Sequence, residues 1–300
     1  MNLESQIKSY NGTARILDGR KTRDELSIKM KEAVQKSGKK PTLAIIQIGA
    51  LEESSAYIKQ KKNFAEKIGA LVTHRHFPET VGEAELVEEV SILNRDEHIS
   101  GIIVQLPIPA RLDKRKIIDA IQIEKDVDGL TSENKKRFEA GDPRAIVPAT
   151  ARGVLSLLKA YGVGVKAKKA TVVGRSDLVG APIATLLARE GAEVTVCHRG
   201  TPDIAEKSRT ADILVVAAGK PFLVTKDFVS SGQVVVDVGI NLVSGEKLED
   251  EIPKREIVGD VDFEDVSKIV SAISPVPGGV GPMTVLSLFQ NLFDSAGIVV

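Results

Sequence analysis

The chain has 300 residues, with 41 Lys plus Arg balanced by 41 Asp plus Glu, so no global field draws it to nucleic acid or to an anionic membrane. No apolar run approaches the roughly 18–20 residues that span a bilayer, and the opening MNLESQIKSYNG has no signal-peptide core, which predicts a soluble, cytoplasmic protein. Length predicts two domains, and the single cysteine, Cys197, excludes an internal disulfide and reads as packing rather than as a nucleophile.

In chain order, Thr22-Arg23-Asp24-Glu25 has the form of a capping box, with Leu26, Met30, Ala33 and Val34 at helical spacing behind it. Thr42–Ile48 is a predicted strand. From Ser54 to Ile68 a helical stripe carries Tyr57, Lys61, Phe64, Ala65 and Ile68. Lys61 therefore stands on the apolar side, one turn from a tyrosine. Burial there would lower its pKa and make it a proton acceptor; the alternative is a stem that snorkels to water. Leu71–Phe77 is a predicted strand placing His74 and His76 on one face, with no accompanying acidic or cysteine cluster, so no metal site is expected.

Glu83–Leu93 is a predicted helix with Leu86, Val90 and Leu93 inward. Ser100–Gln105 returns as a strand that stops at Pro107 and Pro109, leaving Gln105 at a carboxyl end, where ligands of open α/β sheets gather. Asp126 and Asp128, ahead of Gly129, read by themselves as a turn device. The polar stretch Lys135–Arg144 reads as a connecting loop, and Thr150 as the cap of a helix over Arg152–Tyr161, at the domain border.

Ala170–Val173, Gly174, a helix over Ala181–Arg189 with Pro182 early, Gly191 and a strand over Glu193–Cys197 make one βαβ unit. The turn with Gly174 and Gly180 aims free N–H groups at whatever lies in front, ideally a phosphate. NAD-preferring sites usually carry a carboxylate about 20 residues on. Here the second strand ends in His198-Arg199, and with Arg175 and Ser176 opposite, the cation suits the 2′-phosphate of NADP rather than NAD, unless Arg199 is merely solvated. A short helix starting at Thr201-Pro202-Asp203 and strands over Asp212–Ala217 and Gln233–Val238 extend the pattern, predicting a Rossmann-type, doubly wound parallel sheet. Pro275–Thr284 reads as a rigid, glycine-rich loop before a last helix, Met283–Phe293.

Taken together, Ser55-Ala56-Tyr57-Ile58-Lys59-Gln60-Lys61, VQLPIP at 104–109, KDVDG at 125–129, VGRSDLVGAP at 173–182, DVGIN at 237–241, GDVDF at 259–263 and PVPGGVGPMT at 275–284 span nearly the whole chain. In this order they resemble the bifunctional methylenetetrahydrofolate dehydrogenase/methenyltetrahydrofolate cyclohydrolases. The chain departs from the family's usual pattern at Ala149 and Ala151, at Ala50, and at Arg199-Gly200.

The resemblance implies an α/β protein of two domains with a cleft between them: a folate-binding catalytic domain, residues 1–149 plus a returning helix at 282–300, and an NADP-binding Rossmann domain, 150–281. It implies oxidation of 5,10-methylenetetrahydrofolate with NADP, hydrolysis of the methenyl product to 10-formyltetrahydrofolate, and a homodimer. Lys61 would be the acid–base group, bonded to Gln105, with Tyr57 stacking on the folate and Asp128 holding the pterin. Leu106, Pro107, Pro277, Gly278 and Gly279 would line the substrate site. Gly174, Arg175, Ser176, Gly180, His198, Arg199 and Ile240 would meet the cofactor. A relative that keeps one step, and a binding module without turnover, are the alternatives.

Overall fold

The computed structural model describes residues 12–244 and 255–300; residues 1–11, at the stretch read for a targeting segment, lie outside it. The chain divides into two compact units. One holds the described part of Met1–Arg23 with Thr150–Thr284, the other Asp24–Ala149 with Val285–Val300. The front of the chain, grouped by the sequence reading with the first half, thus belongs with the later one, because β1 (Arg15–Ile16) pairs in parallel with Ala272–Ile273. Helix α1 (Gly19–Ser37) follows and carries the chain from one unit into the other.

Its start differs from the expected capping box. Asp18 is the cap: its Oδ1 accepts from the N–H groups of Arg20 at 2.8 Å and Lys21 at 3.0 Å, while the Thr22 hydroxyl turns back to the Asp18 carbonyl. A carboxylate ahead of Gly19 satisfies orphan donors that Thr22, already inside the helix, does not reach.

The unit beginning at Asp24 is built on a parallel sheet. Here β2 (Thr42–Ile48) runs into α2 (Glu52–Ile68), β3 (Leu71–Phe77), α3 (Glu83–Arg95) and β4 (Gly101–Val104). The order is β3-β2-β4, and the central strand, TLAIIQI, is buried at every position, as a parallel strand covered on both faces must be. Leu86, Val90 and Leu93 of α3, with Ile117 and Ile118 of α4 (Lys114–Asp119), pack on Ile46, Ile102 and Val104.

The expected loop at 135–144 is instead largely helical: α5 (Ser132–Ala140) is capped by the Thr131 hydroxyl, which accepts from Asn134 N–H, and ended by Gly141 at φ 81°. Its polarity follows from burying little besides Asn134 and Phe138, so end signals, not an apolar stripe, define it.

Helix α6 (Ala149–Ala160) leads into β5 (Lys169–Val173), α7 (Gly180–Arg189), β6 (Glu193–Cys197), α8 (Ile204–Arg209), β7 (Ile213–Val216) and β8 (Val234–Asp237). A short antiparallel pair, β9 (Asn241–Ser244) and β10 (Arg255–Val258), precedes α9 (Phe263–Val266) and β11 (Ala272–Ile273). The six-stranded order is β1-β11-β8-β7-β5-β6, with every neighbouring pair parallel. The chain goes from β5 outward to β6, then crosses to β7 on the other side, so the strand order reverses between β5 and β7.

The last helix, α10 (Val280–Ser295), begins earlier than expected, with Pro282 in its first turn, where a missing N–H is harmless. Within the unit that contains Val285–Val300, Phe289 meets Phe64 at a ring separation of 5.4 Å, and Asn291 Nδ2 donates to the carbonyls of Val127 and Val147. No helix among the described residues is long and apolar enough to cross a membrane.

Candidate active site

The buried face of α2 comprises Ser54, Ile58, Phe64, Ala65 and Ile68, with Tyr57 and Lys61 along its margin. At the carboxyl end of β4 the backbone N–H of Gln105 still bonds to Ile46 O, which fixes where its side chain starts. Lys61 Nζ donates to Gln105 Oε1 at 2.8 Å, and Gln105 Nε2 donates to Leu106 O at 2.8 Å, so the amide's orientation is set from its far end. Pro107, next to Leu106, is exposed. The Lys61 ammonium lies 6.0 Å from the centre of the Tyr57 ring. Ser54 Oγ, on the same helix face, is buried with no hydrogen-bond partner among the described residues.

The paired aspartates separate into two jobs. Asp126 is the turn device: its carboxylate accepts from the N–H groups of Gly129, Leu130 and Thr131 at 3.0, 3.0 and 2.8 Å. Asp128 receives no hydrogen bond on its carboxylate from the described residues, and it interacts electrostatically with Lys61. Desolvation pushes Asp128 up to about 6, with Lys61 pulling it down and Asp126 pushing it further up. Desolvation also lowers Lys61 below the ordinary lysine range, against the upward pull of Asp128. The alternative of a freely hydrated, snorkelling Lys61 does not fit a desolvated ammonium bonded to Gln105.

Nearby histidines are engaged otherwise. His74 lies between Lys62 Nζ at 3.0 Å and Gln47 Oε1 at 2.9 Å, and His76 Nε2 is 2.8 Å from Gly49 O.

In the other unit, Gly174 follows β5 at φ 118°, and a Cβ there would lie 2.1 Å from Ala217 O in the loop after β7. A Cβ on Gly180 would lie 2.2 Å from Gly174 O. Both glycines are therefore required for the close approach of turn, helix and neighbouring loop at the point where strand order reverses. Ser176 Oγ accepts from Gly180 N–H at 3.4 Å, and Arg175, Ser176 and Arg199 are exposed around this turn and the end of β6. His198 Nδ1 accepts from Gly200 N–H at 3.1 Å, so this ring nitrogen serves its own turn.

Within the same unit Gly278 O accepts from the N–H groups of Gly19 and Arg20, and a Cβ on Gly19 would strike Gly279 O. The Pro277-Gly278-Gly279 segment thus closes the N-terminus of α1. Ile240, beyond β8, is 48 % exposed.

Sequence reasoning gave no role to Asp237 and Asp260, both buried and both bonded to backbone N–H groups. The available signal was the mirrored pair Asp237-Val238-Gly239 and Gly259-Asp260-Val261.

Residues 17–128 match the family model "Tetrahydrofolate dehydrogenase/cyclohydrolase, catalytic domain", and residues 148–299 match "Tetrahydrofolate dehydrogenase/cyclohydrolase, NAD(P)-binding domain". The Bifunctional protein FolD of Moorella thermoacetica is 42% identical over 286 residues, which are 94% of this chain and 99% of the relative. The crystal structure of the bifunctional FolD methylenetetrahydrofolate dehydrogenase/cyclohydrolase from Campylobacter jejuni is similar at a TM-score of 0.87 and 39% identity, covering 95% of this chain and 99% of that one. That of the Trypanosoma brucei enzyme, complexed with NADP cofactor and inhibitor, is similar at 0.88 and 38% identity, over 94% and 97% of the two chains. With both family models matched along the chain, and relatives this similar over nearly its full length, the chain belongs to the tetrahydrofolate dehydrogenase/cyclohydrolase family.

Proposed function

We propose that this protein oxidises 5,10-methylenetetrahydrofolate to the 5,10-methenyl form with NADP and then hydrolyses that product to 10-formyltetrahydrofolate. The observation that carries the reading is the desolvated Lys61 ammonium bonded to Gln105 at 2.8 Å, in a chain of this family. Asp24–Ala149 with Val285–Val300 is the folate-binding catalytic unit, and the unit containing Thr150–Thr284 holds the cofactor.

The residues around Gly174 fit a dinucleotide. The turn is bare of side-chain carbon where backbone must come close, the N-terminus of α7 lies behind it, and Arg175 and Arg199 stand exposed to pair with a 2′-phosphate. NADP, when bound, supplies the acceptor for the hydride that leaves the methylene carbon of the folate. The chain's own contribution to that step is orientation: Tyr57 offers a ring face to the pterin side, and Asp128 accepts its N–H groups.

Hydrolysis makes a different demand. Water adds to the methenyl carbon, and the bond from that carbon to N5 breaks. A Lys61 amine whose neutral form is favoured by desolvation takes a proton from the attacking water and returns one to N5 as it leaves, while the proton remaining on the added hydroxyl departs to solvent as the formyl C=O forms. Gln105 Oε1 holds Nζ in place for both transfers. Leu106 and Pro107 line the folate, and in the cofactor unit Ile240 faces the nicotinamide.

The family resemblance and the exposed edge strand β6, with Val196 40 % exposed, support a homodimer through the cofactor unit, and the reaction is one of cytoplasmic folate metabolism. Parallel absorbance assays with methylenetetrahydrofolate, using NADP and NAD in turn, test the reading. Reduction of NADP followed by loss of the methenyl band is expected. A chain that consumes neither folate would overturn it.

A further inference from the structure

Two segments far apart in sequence interlock at the carboxyl edge of the six-stranded sheet. Asp237 Oδ1 accepts from the N–H groups of Gly239 at 2.9 Å and Asp260 at 3.1 Å, and its Oδ2 accepts from Val261 N–H at 2.9 Å. Asp260, fully buried, accepts at Oδ2 from Ala218 N–H at 2.6 Å and Gly219 N–H at 2.8 Å. Its Oδ1 accepts from Lys220 N–H and Asn241 Nδ2, both at 2.8 Å. A Cβ on Gly259 would lie 1.8 Å from Asp237 Oδ2, and one on Gly239 would lie 2.3 Å from Asp260 Oδ1. Each carboxylate occupies the room left by the other segment's glycine.

A buried carboxylate is expensive, and four well-directed donors are what make Asp260 tolerable. Stability alone would be met by an apolar residue on a self-contained loop. What this arrangement achieves is placement. The loop at 217–220 is gripped from one side by Asp260 and touched from the other by Gly174, at the strand-order reversal. Gly239 and Asn241 are both tied to the carboxylate pair, and Ile240 between them is held outward, half exposed, where an apolar side chain gains nothing from water.

From this geometry we infer that Asp260 is a positioning residue for the dehydrogenase step, fixing the 218–220 loop and Ile240 where the nicotinamide half of NADP is received. The inference rests on the reading above that NADP lies across Gly174 and Gly180.

The test uses Asp260→Asn in the full chain, which keeps the shape and turns an acceptor oxygen into an amide facing N–H donors. Adenosine 2′,5′-bisphosphate, which carries only the adenine half of the cofactor, serves as the probe. The expected result is a KM for NADP raised about tenfold or more with a fall of similar size in dehydrogenase kcat. Inhibition by the bisphosphate and hydrolysis of methenyltetrahydrofolate should stay within about twofold of the unaltered protein. Parallel loss of bisphosphate binding would make Asp260 a structural residue only and overturn the inference, as would an unchanged dehydrogenase. Should Asp260→Asn fail to fold, Asn241→Ala, which removes one donor and leaves the carboxylate with its backbone partners, must show the same split at a smaller size, and its absence is equally fatal. An unaltered protein that ignores the bisphosphate would instead overturn the cofactor reading, and this inference with it.

Discussion

Replacing Lys61 by Met and, separately, by Arg separates proton transfer from mere positive charge. Methionine keeps the apolar stem along α2 and deletes the donor that sits 2.8 Å from Gln105 Oε1. Leaving that part-buried acceptor without a partner costs about 1–3 kcal/mol, offset by relief of the ammonium's desolvation, so stability should move little. Hydrolysis should move a great deal. A positioned acid–base group is worth about 10²–10⁴ in rate, or roughly 3–5 kcal/mol of barrier at 1.36 kcal/mol per decade. Arginine restores a cation and a donor but stays protonated, so it should lose hydrolysis nearly as completely as methionine. The assay is decay of methenyltetrahydrofolate absorbance at several pH values, with thermal unfolding of each variant alongside. An arginine variant within tenfold of the unaltered rate would refute proton transfer by Lys61 and leave only a requirement for charge.

Asp128→Asn removes the carboxylate that raises Lys61, so the Lys61 pKa should fall further and the rising limb of the hydrolysis pH profile should move to lower pH; an upward move would contradict the pairing. Gly174→Ala should destabilise by at least roughly 1–3 kcal/mol in urea unfolding, because backbone strain at φ 118° is joined by a Cβ 2.1 Å from Ala217 O. Gly162→Ala, also at positive φ but with nothing within 4 Å, should cost less, and equal losses would rule out the contact as the cause. Asp237 is pushed up to about 7 by desolvation, from an ordinary 3.8, so its contribution to stability is present below about pH 4 and lost as pH rises through about 7. The stability difference between the unaltered protein and Asp237→Asn should therefore shrink from pH 5 to pH 8, by roughly 3 kcal/mol at most, and a widening gap would deny the shift.

The elements that the sequence makes plain are those whose burial is complete. The central strand TLAIIQI has no polar face to confuse its reading, and the stripe of α2 exposes the anomaly of Lys61 because every other member is apolar or aromatic. The features it hides are of three physical kinds. Strand β1 is two residues long, too short for any period, and exists only through its pairing with β11. Helix α5 buries so little that its polar composition resembles a loop, and only Thr131 and Gly141 mark its ends. The exchange between Asp237 and Gly259, and between Asp260 and Gly239, depends on two distant segments meeting in space, which no local pattern contains. Asp126 and Asp128 were inseparable for a related reason: the difference lies in three backbone N–H groups that one carboxylate collects and the other does not.

A raised carboxylate pKa does not by itself identify chemistry, as two buried aspartates and one half-buried aspartate of this chain make clear. Desolvation raises Asp126, Asp128 and Asp237 alike. Asp126 and Asp237 each accept from three backbone N–H groups, which fixes a turn or a strand end and leaves little capacity for a ligand. Asp128 has its acceptor capacity unspent and an ammonium as its electrostatic neighbour, shifted in the opposite direction. The same desolvation that disfavours charge on the carboxylate disfavours it on the amine, so their proton affinities approach each other, and moving a proton at that place needs less free energy than in water. On the proposed function, hydrogen-bond capacity left open beside an opposed shift, rather than the size of either shift, marks Asp128 as the aspartate that meets the substrate, while Asp126 and Asp237 hold the backbone still.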